Sequence, residues 1–190
     1  PALIKSPALL SIYLITVIAI TGHFTAYSYI EPFLAQTAGL SETWITLILT
    51  IFGFVGLVGS FLFAKCYDAH RKLFIVFAVC GLCVSMLMLQ VMSFSLASVI
   101  LLCVFWGTAI NFYNLAFQSE IIRNAPQGSA VAMSIYSGIY NMGIGSGALV
   151  GGYVCSGLEV GFIGYAGGVI AVIASVLCIR KLVPALFGTR

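Results

Sequence analysis

His23, Tyr27 and Glu31 recur every four residues in an apolar stretch, a spacing that stacks them on one face of a helix. An imidazole exchanges a proton near neutral pH, and a carboxylate beside it offers a second exchange point. In another apolar stretch Gly107, Asn111, Asn114 and Gln118 share a face, and in a third Ser134, Ser137 and Asn141 do. Amides both donate and accept hydrogen bonds, so such faces match hydroxyl groups on an uncharged solute. Each position also has a plainer reading: His23 as a bond between helices, the asparagines as packing contacts, Glu31 as an interfacial charge, the tyrosines as core or interfacial rings. The functional reading rests on convergence, since three stretches each offer a polar face near their middle.

Other chemistries fit poorly. Cys80 and Cys83 form a Cys-x-x-Cys, but no third and fourth ligand follow with matching spacing, so the six cysteines read as small apolar residues and no metal or cofactor is expected. Both histidines, His23 and His70, precede Ser137 and Ser146, the reverse of the order a membrane serine protease would need, and no His-Glu-x-x-His occurs. The chain is therefore not expected to be an enzyme. A net charge of +3 without aromatic interleaving gives no nucleic-acid surface.

The elements that must position these residues follow from composition. The chain is 62% apolar and only 7% charged, too little polar surface for a water-soluble globule. Runs of about 20 apolar residues cross a bilayer as helices, because loop backbone is left unpaired in lipid. The sequence predicts an all-α polytopic membrane protein with spans near 7–29, 43–64, 73–92, 96–117, 130–154 and 160–179. Pro32 predicts a break or bend at Glu31. This threading puts all eight Lys and Arg on one side: Lys5, then Lys65, Arg71 and Lys72, then Arg123, then Arg180, Lys181 and Arg190. The other side holds Glu31, Glu42 and Glu159. Basic residues stay cytoplasmic, so both ends are expected in the cytoplasm. The start at Pro1, without Met, is expected to be a fragment boundary.

The spans differ in kind. The third and sixth are uniformly oily and suit a lipid-facing place, while the first, second, fourth and fifth carry the polar residues. On the fifth, Gly143, Gly147 and Gly151 form a row of two overlapping Gly-x-x-x-Gly units, about 160° from the Ser137 and Asn141 face by the step of about 100° per residue. That row is expected to pack closely against a neighbouring helix.

The segment TGHFTAYSYIEPF over 21–33 resembles the seventh-helix segment of bacterial sugar efflux transporters, and SGIYNMGIGSGALVGG over 137–152 is similar to their eleventh helix. PALLSIYL over 7–14 and FIGYAG over 162–167 are similar too. These transporters belong to the drug and sugar proton-antiporter branch of the major facilitator superfamily. The resemblance covers about Pro7–Leu182 and implies the C-terminal six-helix half of a twelve-helix protein, built as a 3+3 inverted repeat, with the third and sixth spans outermost.

The resemblance further implies a bacterial inner-membrane exporter of sugars or sugar-like solutes, driven by proton antiport through alternating access. Its partners would be a small-molecule sugar, protons, the N-terminal half of the same transporter and the lipid bilayer. Tyr27, Asn111, Asn114, Tyr140 and Asn141 are the expected solute contacts, with aromatic rings covering the apolar face of a sugar. His23 and Glu31 are the expected proton-linked pair. The loop signature of the superfamily is matched in part by AKCYDAHRK over 64–72, where Asp68 and Arg71 are kept, and an Asp68–Arg71 gating pair is expected there. Export of amphiphilic drugs by the same superfamily and a non-transporting six-helix scaffold are the alternatives.

Overall fold

The computed structural model describes residues 6–188 and is helical almost throughout. The helices are α1 (Pro7–Tyr27), α2 (Ile30–Gln36), α3 (Glu42–Met88), α4 (Leu96–Asn124), α5 (Ser129–Gly157), α6 (Ile163–Leu177) and α7 (Val183–Phe187). Short 3-10 turns occupy Val91–Phe94 and Val160–Phe162, and a π turn, Cys178–Leu182, joins α6 to α7. Lys5 and Arg190, two of the eight cations of the charge argument, lie outside the described residues.

Local chemistry explains several boundaries. Ser6 caps α1 by accepting from the Leu9 amide, and Pro7 occupies the first helical position, where a missing N–H is harmless. Ser95 caps α4 in the same way through the Ser98 amide. The expected break at Glu31 lies earlier, at Ser28 and Tyr29. Pro32 then falls in the first turn of α2, where its lack of a donor is tolerated, so it starts a helix here and does not end one.

The expected loop after residue 64 is instead helical up to a single residue. His70 alone leaves helical geometry, at φ −130° and ψ 31°. The chain nonetheless reverses there: the Phe63 and Phe74 rings lie 5.5 Å apart, whereas eleven residues of straight helix would separate them by about 16 Å. Both rings also meet Phe112 of α4. The 47 residues of α3 would measure about 70 Å if straight, more than twice the hydrocarbon core of about 30 Å. Among the described residues four segments are long and apolar enough to cross a membrane: Pro7–Gln36, Glu42–Met88, Leu96–Asn124 and Val160–Phe187. The glycine-, serine- and asparagine-bearing α5 is not among them.

Helices in lipid gain little from hydrophobic contact with one another, so close packing holds them. α1 lies between α5 and α6, while α3 packs on α4 and α6. The α1–α5 contact runs along the glycine row. A Cβ on Gly147 would sit 2.5 Å from the Thr21 carbonyl, and one on Gly151 2.5 Å from that of Thr25. At Gly143 the obstacle is Ile20, 2.8 Å away. Trp106, Tyr113 and Phe117 fill the centre from α4.

Apolar faces stay uncovered on three helices. On the first limb of α3, Phe54, Leu57, Val58 and Phe61 are exposed, and on α5 Met142, Leu149 and Tyr153 are. The third expected span, the second limb of α3, buries Phe74, Ile75, Ala78 and Leu82, and α6 shows one apolar face through Val169, Val172, Ile173 and Val176.

The arginines gather at one end. Arg71, at the α3 reversal, meets Glu120 near the end of α4 and lies 5.1 Å over the Phe187 ring of α7, so these three elements share one end with Arg123. At the other end, Glu31 and Glu42 line one groove, and Glu159 lines another with Tyr29 and Gln36.

Candidate functional site

Three groups of side chains carry chemistry. The first surrounds His23, which is 3% exposed. Its ring stacks on Tyr27 at 5.2 Å, and Tyr27 stacks in turn on Phe52 at 5.2 Å. Trp106 stands edge-on to all three. The Trp106 indole donates from Nε1 to His23 Nδ1 over 3.1 Å. Indole only donates, so Nδ1 must present a lone pair, and the ring proton sits on Nε2. Protonation at Nδ1 and this bond exclude each other. A Trp106→Phe variant keeps the ring but leaves buried Nδ1 without a donor. We expect it to lose about 1–3 kcal/mol of stability, read as a lower unfolding temperature in detergent.

The second group is a cleft of about 330 Å³ lined by Asn114 and Gln118 of α4 and by Tyr136, Ser137, Tyr140 and Asn141 of α5. No ionised side chain lines it. Asn141 donates to the Ser137 carbonyl of its own helix, which fixes the amide. The Tyr136 and Tyr140 rings lie 5.8 Å apart. Of the expected solute contacts, the structure thus brings Asn114, Tyr140 and Asn141 together.

It sets the other two apart. Asn111 turns onto α3, where its amide nitrogen faces Ser60 Oγ at 3.4 Å. Its Oδ1 lies over Gly59, where a Cβ would be 3.0 Å away, and has no hydrogen-bond partner among the described residues. The shared helical face of Asn111 and Asn114 is real, but glycines at 56 and 59 open a slot that takes the first amide. Tyr27 stays in the aromatic group beside His23. The expected proton pair is divided as well: Glu31 is exposed in the groove with Glu42, beyond the break in the helix, while His23 is buried.

The third group corrects the expected Asp68–Arg71 pair. Arg71 grips Glu120 with two bonds, Nε to Oε1 at 2.8 Å and Nη2 to Oε2 at 2.6 Å. Asp68 instead pairs with Arg123 at 2.6 Å. Residues three apart on a helix with a reversal between them do not stay neighbours, and each finds a partner on α4. Tyr67 also donates to Glu120, at 2.7 Å. The hydrogen bonds that Arg71 donates to Glu120 raise the guanidinium above its usual pKa, and burial followed by the same carboxylate raises the Tyr67 phenol. A cation with a raised pKa keeps its stabilising charge at every pH below the ordinary arginine range, so Arg71 does not lose its side of this contact in physiological conditions.

Sequence reasoning missed Glu120, Tyr67, Trp106 and Tyr136. An acid at the end of an apolar run on the basic side was the available signal for Glu120, which the fold buries to 1% exposure and so must pair with a cation. Nothing in the sequence singled out the other three.

The family model described as Major Facilitator Superfamily matches residues 12–187.

Proposed function

The chain belongs to the major facilitator superfamily, whose members carry small molecules across membranes, and on that premise we propose that it is the C-terminal half of a proton-driven exporter of sugars or sugar-like solutes. In this reading the two limbs of α3 cross separately and α5 crosses as well. That makes six passes, with a 3+3 inverted repeat, in a bacterial inner membrane with both ends cytoplasmic. The uncovered apolar faces of α3 and α5 suit the N-terminal half as partner, and alternating access rocks one half against the other.

The observation that carries the reading is the uncharged, amide- and hydroxyl-lined cleft between α4 and α5. A solute rich in hydroxyl groups satisfies such a wall, whereas an ion would be left without a counter-charge. Proton linkage is supported by His23: taking a proton at Nδ1 means giving up Trp106. Wetting of the site in one access state favours the charged ring, and closure favours the neutral one. Glu31, at the acidic mouth, is the second proton-linked group. Asp68 and Arg71 serve the cytoplasmic gate through their contacts with α4.

The stacked Tyr27, Phe52 and Trp106 rings favour a second reading, export of amphiphiles. Efflux of a labelled sugar panel and of a lipophilic cation from cells making the complete protein, with and without a proton gradient, decides between them. Gradient-dependent export of a sugar is expected. In the His23→Ala variant, export is expected to lose its response to external pH. A variant that keeps that response removes His23 from the coupling.

A further inference from the structure

Tyr136 is 3% exposed, yet it lines the cleft, and its hydroxyl has no hydrogen-bond partner among the described residues. Other buried tyrosines here are satisfied: Tyr13 donates to the Ala132 carbonyl at 3.1 Å, and Tyr113 donates to Thr16 Oγ1 at 2.9 Å. Leaving a buried hydroxyl unbonded is costly, so a fold that satisfies its other buried tyrosines and spares Tyr136 holds that donor in reserve.

The cleft lies toward one end. Counting about 1.5 Å per residue along each helix, Gln118 and Tyr136 sit about 9 Å and 10 Å from the α4–α5 turn, and Asn114 and Asn141 about 15 Å and 18 Å. That turn adjoins Arg123 at the basic end. By the same count His23 is about 24 Å along α1 from Pro7, so the cleft precedes the aromatic group on a path from the basic end. Its volume of about 330 Å³ falls at the small end of ligand sites, which span roughly 300–1,000 Å³.

We propose that this cleft is where solute is first held from the basic end, and that the Tyr136 hydroxyl bonds a solute hydroxyl there and selects neutral polyhydroxylated molecules. The proposal rests on the transport reading and deepens it. Tyr140 and Asn141 hold the same solute from one and one-and-a-half turns further along α5, and Gln118 with Asn114 faces it from α4. With no carboxylate or cation in the lining, charged solutes gain nothing at this position.

The test uses the complete transporter purified in detergent, as wild type, Tyr136→Phe and Tyr113→Phe. Thermal unfolding is followed alone and with glucose, arabinose, lactose or tetraphenylphosphonium. Without solute, Tyr136→Phe is expected to unfold at or above the wild-type temperature, since it loses no bond, and Tyr113→Phe below it. With sugar, Tyr136→Phe is expected to bind roughly tenfold more weakly, the loss of one hydrogen bond, while tetraphenylphosphonium binding is unchanged. If Tyr136→Phe is destabilised as Tyr113→Phe is, the hydroxyl serves the fold and the proposal fails. Equal sugar affinity in wild type and Tyr136→Phe also overturns it but leaves the transport reading standing. A wild type protected by no sugar in the panel overturns both.

Discussion

Gly147→Ala is expected to lower the stability of the protein by about 2–3 kcal/mol, at the upper range for forcing one methyl group into a closed contact. The added carbon would meet backbone on two sides, the Thr21 carbonyl at 2.5 Å and the Thr25 amide at 2.9 Å, with Phe24 Cβ at 2.7 Å. Backbone cannot rotate out of the way as a side chain can, so α1 and α5 must separate along their whole contact. Separation also withdraws Tyr29, whose hydroxyl donates to the Ala148 carbonyl at 3.0 Å, and Tyr13, which holds Ala132. The internal control is Gly145→Ala. It lies two residues away on the same helix, with nothing within 4 Å of the new methyl, and is expected to be neutral or to gain about 0.5–1 kcal/mol from helix propensity. Unfolding of both variants in detergent measures the difference. Equal effects at the two positions would mean that the row is not a contact surface.

Removing Arg71 is expected to be the most damaging change at the basic end. Glu120 is 1% exposed, and among the described residues Arg71→Ala leaves its carboxylate with only Tyr67 and Asn124 as donors. Stranding one member of a buried ion pair costs about 3–5 kcal/mol. Asp68→Ala is the contrast. The Asp68 side chain is 85% exposed and its partner Arg123 48%, so that pair is worth about 0–1 kcal/mol. Unfolding of Arg71→Ala, Glu120→Ala and the double variant should show strong coupling, with the double variant recovering much of the single loss. Additive losses would show that the two side chains act independently.

Both predictions draw on features of unequal visibility in the sequence. The glycine row could be read directly, because a four-residue repeat of small residues has one geometric meaning on a helix. Helix starts were legible from the onset of each apolar run, as at Pro7 and Leu96, whereas α4 continues to Asn124, seven residues beyond the apolar run, because helix does not stop where hydropathy does. The reversal at His70 was located by its charges, yet Lys65, Arg71 and Lys72 suggested a loop where the helix continues. Hydropathy reports where water is, not whether backbone stays helical there.

Partner choice was the illegible part. Helical spacing places Asn111 and Asn114 on one face, but the glycines of α3 take one amide and the α5 cleft takes the other. The partly matched loop signature suggested Asp68 with Arg71, while the fold joins each to α4. His23 was legible as a polar residue at depth, but its bond to Trp106 spans 83 positions and leaves no local trace. Such pairings depend on how helices are rotated about their axes, which periodicity in one helix alone does not determine.

The reversal of α3 within one residue leaves no slack between its limbs. The two limbs therefore cannot shift along their axes independently, and any tilt of the first is passed to the second, and on to α4, through the Phe63, Phe74 and Phe112 rings.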